Sequence, residues 1–568
     1  MITLSPAQER LVRLAARLSA LAACAIFGWL AVRQGPPISP EGPGIERDLQ
    51  YVFVGVGVFA TALAWSRPLP GGWLLVVTGA FLGMAAAGLY TVETSFFVAL
   101  IFVVPGLLFL LVGVSGRGLV LQGLYAFGVI AVMVYGGLRA EERHEYSFGP
   151  AHPQSDLVAQ PHARVEWVWS GAVTATGFTV NARMAPGAGT ARLVVSESPS
   201  LANPAYSGAV EPDDQRVVSL RVDGLRPGAA YYYAIEAGGQ VDELRRGSLS
   251  TFSAGASTFT IALGACARTG SNGAVFDAIR KENPLLYLVS GDIHYENITR
   301  NSLDRFQDAY QTLVTTPAQQ ALYQQTPIAY VWDDHDFGGS NSDSSAEAKP
   351  AARLSYRRNV PHYDLPAGDG DAAIYQAFSA GRVRFVLLDT RSMRGAEKLP
   401  DGGESLLGAQ QREWLKQELL ASSRNHALVV LVSGVPWIAP AGASRDDWGG
   451  FATERAEIAD FIADNGIDNV LLLAGDAHML AIDDGSNSDY SASGGRGFPA
   501  FQAGALDRPG SVKGGPYSEG TYPGAGHYGL VTFTDNGSSM TVKLSGRNWL
   551  GEELVGYSFS VPRSEVRP

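Results

Sequence analysis

Apolar residues along this 568-residue chain fall into distinct rhythms. Long unbroken runs come first: Leu14–Val32, Tyr51–Trp65, Trp73–Tyr90, Phe96–Val114 and Leu119–Leu138. Several approach the roughly 20 residues that a membrane-spanning helix needs. A cleavable leader would be a single short run followed by soluble chain, so the pattern predicts five transmembrane helices. The second is the shortest and is rich in Gly and Val. Residues 140–163 turn polar and read as a juxtamembrane linker. Short alternating segments follow at Val165–Trp169, Gly177–Ala182, Ala191–Ser196, Val217–Val222 and Tyr231–Ala237, the spacing of a β-sandwich over residues 164–254. Beyond Thr258, apolar strands alternate with helical stretches, as in a sheet covered on both faces. The strands are Phe259–Leu263, Leu285–Val289, Ile328–Trp332, Val383–Leu388, Ala427–Val432 and Val470–Leu473. Helices are predicted at Gly273–Lys281, Ser302–Val314, Leu407–Leu420 and Thr453–Asn465, and Tyr528–Val561 reads as strands closing the sheet.

Composition sharpens this picture. A content of 46% hydrophobic and 17% charged residues is apolar for a soluble protein, and the N-terminal runs account for the excess. A net charge of −12 argues against a nucleic-acid partner, which calls for a basic face. The only cysteines, Cys24 and Cys266, lie in different regions, so a disulfide framework is excluded. Cys266 is then a packing residue, a nucleophile or a metal ligand. Arg10, Arg13 and Arg17 precede the first run, and Arg67 and Arg117 follow the second and fourth, whereas the intervening loops carry Glu41, Glu46, Asp48 and Glu93. The positive-inside rule puts the N-terminus in the cytoplasm, and an odd helix count exports everything after Leu138. That is a multi-pass protein of a bacterial-type inner membrane with its soluble part periplasmic or extracellular. No charge lies well inside a run, so the sector reads as an anchor in the lipid bilayer rather than an ion path, with admission of a lipid substrate as the alternative.

Four of the six strands end in polar clusters. They are Gly264-Ala265-Cys266-Ala267-Arg268, Gly291-Asp292-Ile293-His294-Tyr295-Glu296-Asn297, Asp333-Asp334-His335-Asp336 with Asn341 and Asp343, and Gly475-Asp476-Ala477-His478. One Asp-rich loop means little, but four at successive strand ends form a rim able to hold two metals. A metal pair suits in-line attack on phosphorus because it stabilises both the attacking and the leaving oxygen. No Gly-x-Ser-x-Gly elbow supports a serine hydrolase.

The order Gly-Asp-x-x-Tyr, Asp-Asp-His-Asp, Gly-Asp-x-His resembles the calcineurin-like metallophosphoesterases, and specifically the PhoD-type alkaline phosphatases. Gly264-Ala265-Cys266, Leu388-Asp389-Thr390-Arg391-Ser392 and Leu407-Gly408-Ala409-Gln410-Gln411-Arg412-Glu413-Trp414-Leu415 add to the likeness, which covers the chain from residue 164 onward and leaves the membrane sector outside it. The resemblance implies a multi-domain protein: an α-helical membrane sector (1–139), a fibronectin III-like β-sandwich (164–254), and an α/β calcineurin-like domain with packed mixed sheets (255–568). It implies that Asp292 bridges two metals and that Tyr295, Cys266 and His478 complete a ferric-iron site. Asp334 and Asp476, with Asn341, would hold Ca²⁺. His335 would stabilise the phosphoryl oxygens or protonate the leaving group, and Arg268 and Arg391 would contact phosphate.

Two positions depart from the pattern: His294 stands where an apolar or aromatic residue is expected, and Gly434-Val435-Pro436-Trp437 ends its strand without a histidine ligand. The implied activity is hydrolysis of phosphate mono- or diesters by metal-activated water. The alternatives are a phosphodiesterase or phospholipase acting on lipid or cell-wall polymers, and a non-catalytic metal-binding envelope sensor. Asp389 and Arg391 could also form a structural ion pair. The Gly-rich stretch Gly485–Gly529 reads either as a lid or as surface filler.

Overall fold

The computed structural model describes residues 2–34, 45–88, 92–149, 164–370, 372–442, 444–492, 494–495 and 497–561. The chain forms two compact units, Met1–Pro150 and Ala151–Pro568.

The first unit contains five helices: α1 (Pro6–Gln34), α2 (Ile45–Ser66), α3 (Pro68–Ala86), α4 (Val92–Val114) and α5 (Leu119–Phe148). Three segments, Pro68–Ala86, Thr94–Val114 and Leu119–Phe148, are long and apolar enough to cross a membrane. Glycines let α3 and α4 approach closely. A Cβ on Gly72 would lie 2.9 Å from the Gly106 carbonyl oxygen, and one on Gly79 would lie 2.7 Å from that of Ala99. Small residues of this kind allow apolar helices to pack where the surroundings supply no hydrophobic drive. In α5 only 6% of an apolar window is buried, so most of its apolar surface is exposed. Two expectations change here. Glu46 and Asp48 belong to α2, and Glu93 to α4, rather than to loops. Residues 140–148, read as linker, continue α5 because Ala140, Glu141, Glu142 and Arg143 are strong helix formers and Arg139 pairs with Glu142 one turn on. The rest of the expected linker, 150–163, lies outside the described residues, as does Glu41.

The second unit is built on two large sheets. In the nine-stranded sheet, Thr258–Gly264, Leu286–Ser290 and Ile328–Val331 run parallel, with Leu286 paired to Ile261 and Tyr287 to Ile328. In the seven-stranded sheet, Val383–Leu387, Leu428–Ser433, Val470–Ala474 and Ala500–Ala503 are likewise parallel. The parallel strands are apolar throughout because both faces are covered. One core runs through both sheets, from Ile261, Leu288 and Val331 to Phe385, Val430 and Leu471. On the outer face, Leu415 and Leu419 of the Gly408–Asn425 helix pack near Leu431 and Leu472. The antiparallel C-terminal strands His527–Asp535, Met540–Asn548 and Glu553–Val561 complete one edge of the larger sheet.

Residues 164–250 form two layers, but hydrogen bonding crosses the boundary expected near residue 254. Val165–Gly171, Gly177–Met184 and Val217–Asp223 extend the nine-stranded sheet through the Gly171–Ile328 bridge. Ala191–Ser196 and Ala230–Ala237 belong to a separate five-stranded sheet. Trp167 and Trp169 are buried, and the Tyr231 hydroxyl accepts from Arg226 N at 2.9 Å, closing the corner signalled by Leu225-Arg226-Pro227-Gly228. Among the described residues, the helices Pro317–Gln325 and Lys349–Asn359 and the short turn of helix Asp334–Phe337 escaped the sequence reading.

Candidate metal centre

Parallel strands point their carboxyl ends the same way, and ligands collect outside those ends. The strand ending at Gly264 delivers Cys266, that ending at Ser290 delivers Asp292 and Tyr295, that ending at Val331 delivers Asp333 and Asp334, and that ending at Ala474 delivers Asp476 and His478. The turns are tight. Cys266, Asp292, Asn341, Asp476 and His478 all adopt positive φ, a region that costs non-glycine residues energy and persists where the surroundings over-determine it. Gly291, at φ 106°, admits no side chain, because a Cβ there would lie 2.5 Å from that of Asp333.

The loops converge on Asp292. Its Oδ2 accepts from the Tyr295 hydroxyl at 2.8 Å and lies 3.7 Å from Cys266 Sγ, while its Oδ1 faces the other way, 3.2 Å from the His335 amide. Tyr295 Oη is also 2.9 Å from His478 Nε2. His478 Nδ1 donates to the Pro509 carbonyl at 2.7 Å, which puts the proton on Nδ1 and turns the Nε2 lone pair inward, as a metal ligand requires. Donor atoms of Cys266, Asp292 and His478 lie within 4.8 Å of one another, as do those of Asp292, Asp333, Asp334 and Asp476.

Without a cation this arrangement is electrostatically costly. Burial, then Asp292 and Asp476, push the Cys266 thiol well up, and burial, then Asp292, do the same for the Tyr295 phenol. The Asp292 carboxyl is raised by burial and by Asp334, Asp333 and Asp336, and burial raises Asp476 despite Lys513. Burial followed by Lys513 lowers His478 to about 4, so its ring is neutral. A multivalent cation inverts this logic by favouring thiolate, phenolate and carboxylate together. The donor set therefore fits a metal.

Neighbouring groups hold the carboxylates in place. The short helix Asp334–Phe337 is capped reciprocally by Asp333 and Asp336. Asp336 also accepts from the Tyr330 hydroxyl at 2.6 Å and from Ile293 N, and burial raises it to about 8, so it is structural. Burial works to raise Asp334, yet Arg391, His335 and the Asn341 amide bring it down to about 2. His335 stacks on Tyr295 at 3.9 Å between centroids, and its Nδ1 lies 2.6 Å from Asn297 Oδ1.

Several expected roles change. Arg391 does not reach the open site. It is fully buried, with Nε and Nη2 at 2.5 and 2.8 Å from the Asp333 oxygens and Nη2 at 3.0 Å from Asp446, so a guanidinium expected on phosphate is instead a structural counter-ion. Its partner is Asp333, not Asp389, which instead accepts from Trp332, Ile374 and Ser392. The Asn341 side-chain amide faces Asp446, donating at 2.8 and 3.0 Å, and only its backbone N–H reaches Asp334. Arg268 is half exposed, 3.8 Å from Asp507. His294 is buried edge-on against Tyr310 and neutral, lowered to about 3 by burial. Gly434 stands where a histidine was expected because a Cβ there would lie 2.6 Å from Asp333 Oδ1.

Lys513, Asp446 and Arg508 were missed, and Asn297 was named in its cluster without a role. Lys513 Nζ lies 2.7 Å from Asp446 and 2.8 Å from both Asp476 oxygens. These residues sit in loops, where no periodicity marks them. The one usable signal was the length of Gly485–Gly529, which is largely ordered around the strands Ala500–Ala503 and Thr521–Pro523; residues 493 and 496 lie outside the described residues.

Residues 261–524 match the model of the PhoD-like phosphatases. Alkaline phosphatase D of Bacillus subtilis (strain 168) is 24% identical over 335 residues, which is 50% of this chain and 56% of that protein. This chain therefore spans little more than half the length of that curated relative. The solved structure of PhoD superposes with a TM-score of 0.58 at 19% identity, covering 70% of this chain and 90% of that one. Purple acid phosphatase PPD1 from yellow lupin (Lupinus luteus) seeds gives 0.53 at 12% identity, covering 72% and 76%. These two likenesses show the fold, and residues 261–524 of this chain are similar in sequence to the PhoD-like phosphatases.

Proposed function

We propose that this chain is a membrane-anchored, metal-dependent phosphoesterase that hydrolyses phosphate mono- or diesters outside the cytoplasm. The observation that carries this reading is the convergence of Cys266, Asp292, Tyr295 and His478 beside Asp334 and Asp476. Ferric iron suits the first four donors. Calcium suits the oxygens of Asp334 and Asp476, with Asp292 offering Oδ2 to one side and Oδ1 to the other. Bound metals would lower the pKa of a water and polarise the phosphorus centre. Among the protein's own groups, Asn297 Oδ1 accepts from His335 Nδ1. His335 is thereby left with a lone pair at Nε2. Burial first, then nearby cations, lower His335, while Asp334 and Asp333 oppose them; its ring is thus neutral at pH 7, so Nε2 can accept the proton released by an attacking water and pass that same proton to the leaving oxygen. Arg10, Arg13 and Arg17 in the first turns of α1, with Arg67 and Arg117 after α2 and α4, support an N-terminus in the cytoplasm.

The test is the full chain in detergent, analysed for metals and assayed on a panel of aryl phosphate mono- and diesters. Hydrolysis accompanied by a visible phenolate-to-iron absorption that Tyr295→Phe abolishes is the expected result. Metal-loaded protein that cleaves none of the panel would overturn the proposal.

A further inference from the structure

The segment from Ala505 to Lys513 crosses the metal centre as a strap fixed on both sides of Arg508. On one side, Asp507 is buried and accepts from Arg268 N. On the other, the Pro509 carbonyl holds His478 Nδ1, Ser511 N and Oγ donate to the His478 and Ala477 carbonyls at 3.1 and 3.0 Å, and Lys513 grips Asp476. Between these anchors, the Arg508 guanidinium carbon lies 4.1 Å from the centroid of the Tyr295 ring.

Two of the other arginines around the site are held by hydrogen bonds, and the half-exposed Arg268 makes only a long ion pair. Arg391 is held by Asp333 and Asp446, Arg394 donates to the Thr390 and Arg445 carbonyls, and Arg268 lies against Asp507. Arg508 has no carboxylate or carbonyl partner among the described residues, and its Nε is buried without an acceptor. A buried donor left unsatisfied costs free energy, and a guanidinium stacked on an aromatic face keeps its in-plane N–H groups available. The ring beneath it belongs to Tyr295, whose hydroxyl touches Asp292 and His478, so those N–H groups lie beside the place where a phosphoryl group must sit to meet the metal centre.

We propose that Arg508 binds the non-bridging oxygens of the substrate's phosphoryl group, the role for which Arg391 is too deeply buried. This rests on the phosphoesterase reading above. Two parallel N–H groups match two oxygens of a tetrahedral anion, a fit that lysine makes only as a point charge. Because the contact exists with substrate and product alike, it governs affinity more than turnover.

The test uses metal-loaded full-length protein titrated with inorganic phosphate by calorimetry, alongside KM and kcat for an aryl phosphate. In Arg508→Gln, phosphate affinity should fall on the order of ten- to a hundredfold, KM should rise more than kcat falls, and metal content should stay the same. Arg508→Lys should recover part of the affinity. Phosphate affinity within twofold of wild type in Arg508→Gln overturns the proposal while leaving the phosphoesterase reading intact. Loss of metal from both variants also overturns it, because Arg508 would then be a support for Tyr295. Wild-type protein that binds no phosphate and cleaves no ester overturns both.

Discussion

Replacing Arg391 with methionine removes a buried guanidinium and leaves most of its volume filled. The structure sets the magnitude. Arg391 and Asp333 are both 0% exposed, and two of the arginine's nitrogens lie within 2.8 Å of the carboxylate. Breaking a buried pair by deleting one member costs about 3–5 kcal/mol, since the remaining charge is stranded in a low dielectric. Two features set the value near the lower end. The Asp333 carboxyl is already raised by burial, with Arg391 the main opposing influence, so it can take up a proton once the arginine is gone. Asp446 keeps Lys513 at 2.7 Å. A loss of about 3 kcal/mol from a unit of this size corresponds to a fall on the order of 5 °C in melting temperature, readable by calorimetry. The double variant Asp333→Asn/Arg391→Met should recover at least half of the loss, because neither charge is then buried alone. KM for an aryl phosphate should stay within about twofold in the folded fraction of Arg391→Met, a change worth well under 1 kcal/mol. An unchanged melting temperature together with a tenfold rise in KM would refute the reasoning and return Arg391 to the substrate.

Other consequences can be checked more briefly. Lys513→Met frees both oxygens of Asp476, so added Ca²⁺ should bind on the order of tenfold more tightly in calorimetric titration; an unchanged affinity would mean that Lys513 does not compete with a cation. His527 is lowered to about 4 by burial alone, whereas an unfolded histidine titrates near 6.5. The unfolded chain therefore binds the extra proton below pH 6.5, and stability that is fully present above that pH falls by about 1.4 kcal/mol per unit as the pH drops toward 4. Denaturant titrations at pH 7 and 5 should show a smaller loss in His527→Gln than in wild type, and equal losses would contradict the assignment.

Periodicity carried far in this chain because burial on both faces leaves a clear imprint. The runs at Leu286–Ser290, Leu428–Ser433 and Val470–Ala474 are apolar at nearly every position, and their ends could be placed within a residue or two. Pro317–Gln325 was missed because its Gln-rich sequence has no apolar stripe, and its buried glutamines are placed by tertiary contacts. Residues 140–148 were misread because polarity was taken to mark a linker, although those residue types favour helix and extend α5.

The sequence by itself determined which side chains gather at the centre. Cys266, Asp292, Tyr295 and Asp334 follow neighbouring parallel strands of one sheet within a few residues, so local order and pairing bring these four together, while Asp476 and His478 arrive from a strand of the second sheet. Only the tertiary structure decided which charges face the opening and which are consumed as supports. Arg391 lies two residues beyond Asp389 in sequence but satisfies Asp333, 58 positions away, and Asn341 turns its side chain to Asp446. Lys513 and Arg508 come from a glycine-rich stretch that carries no periodic signal, yet the strap holds one on Asp476 and the other over Tyr295. A charge in low dielectric must find its partner wherever the fold brings one, and the distance along the chain gives no indication of which partner that will be.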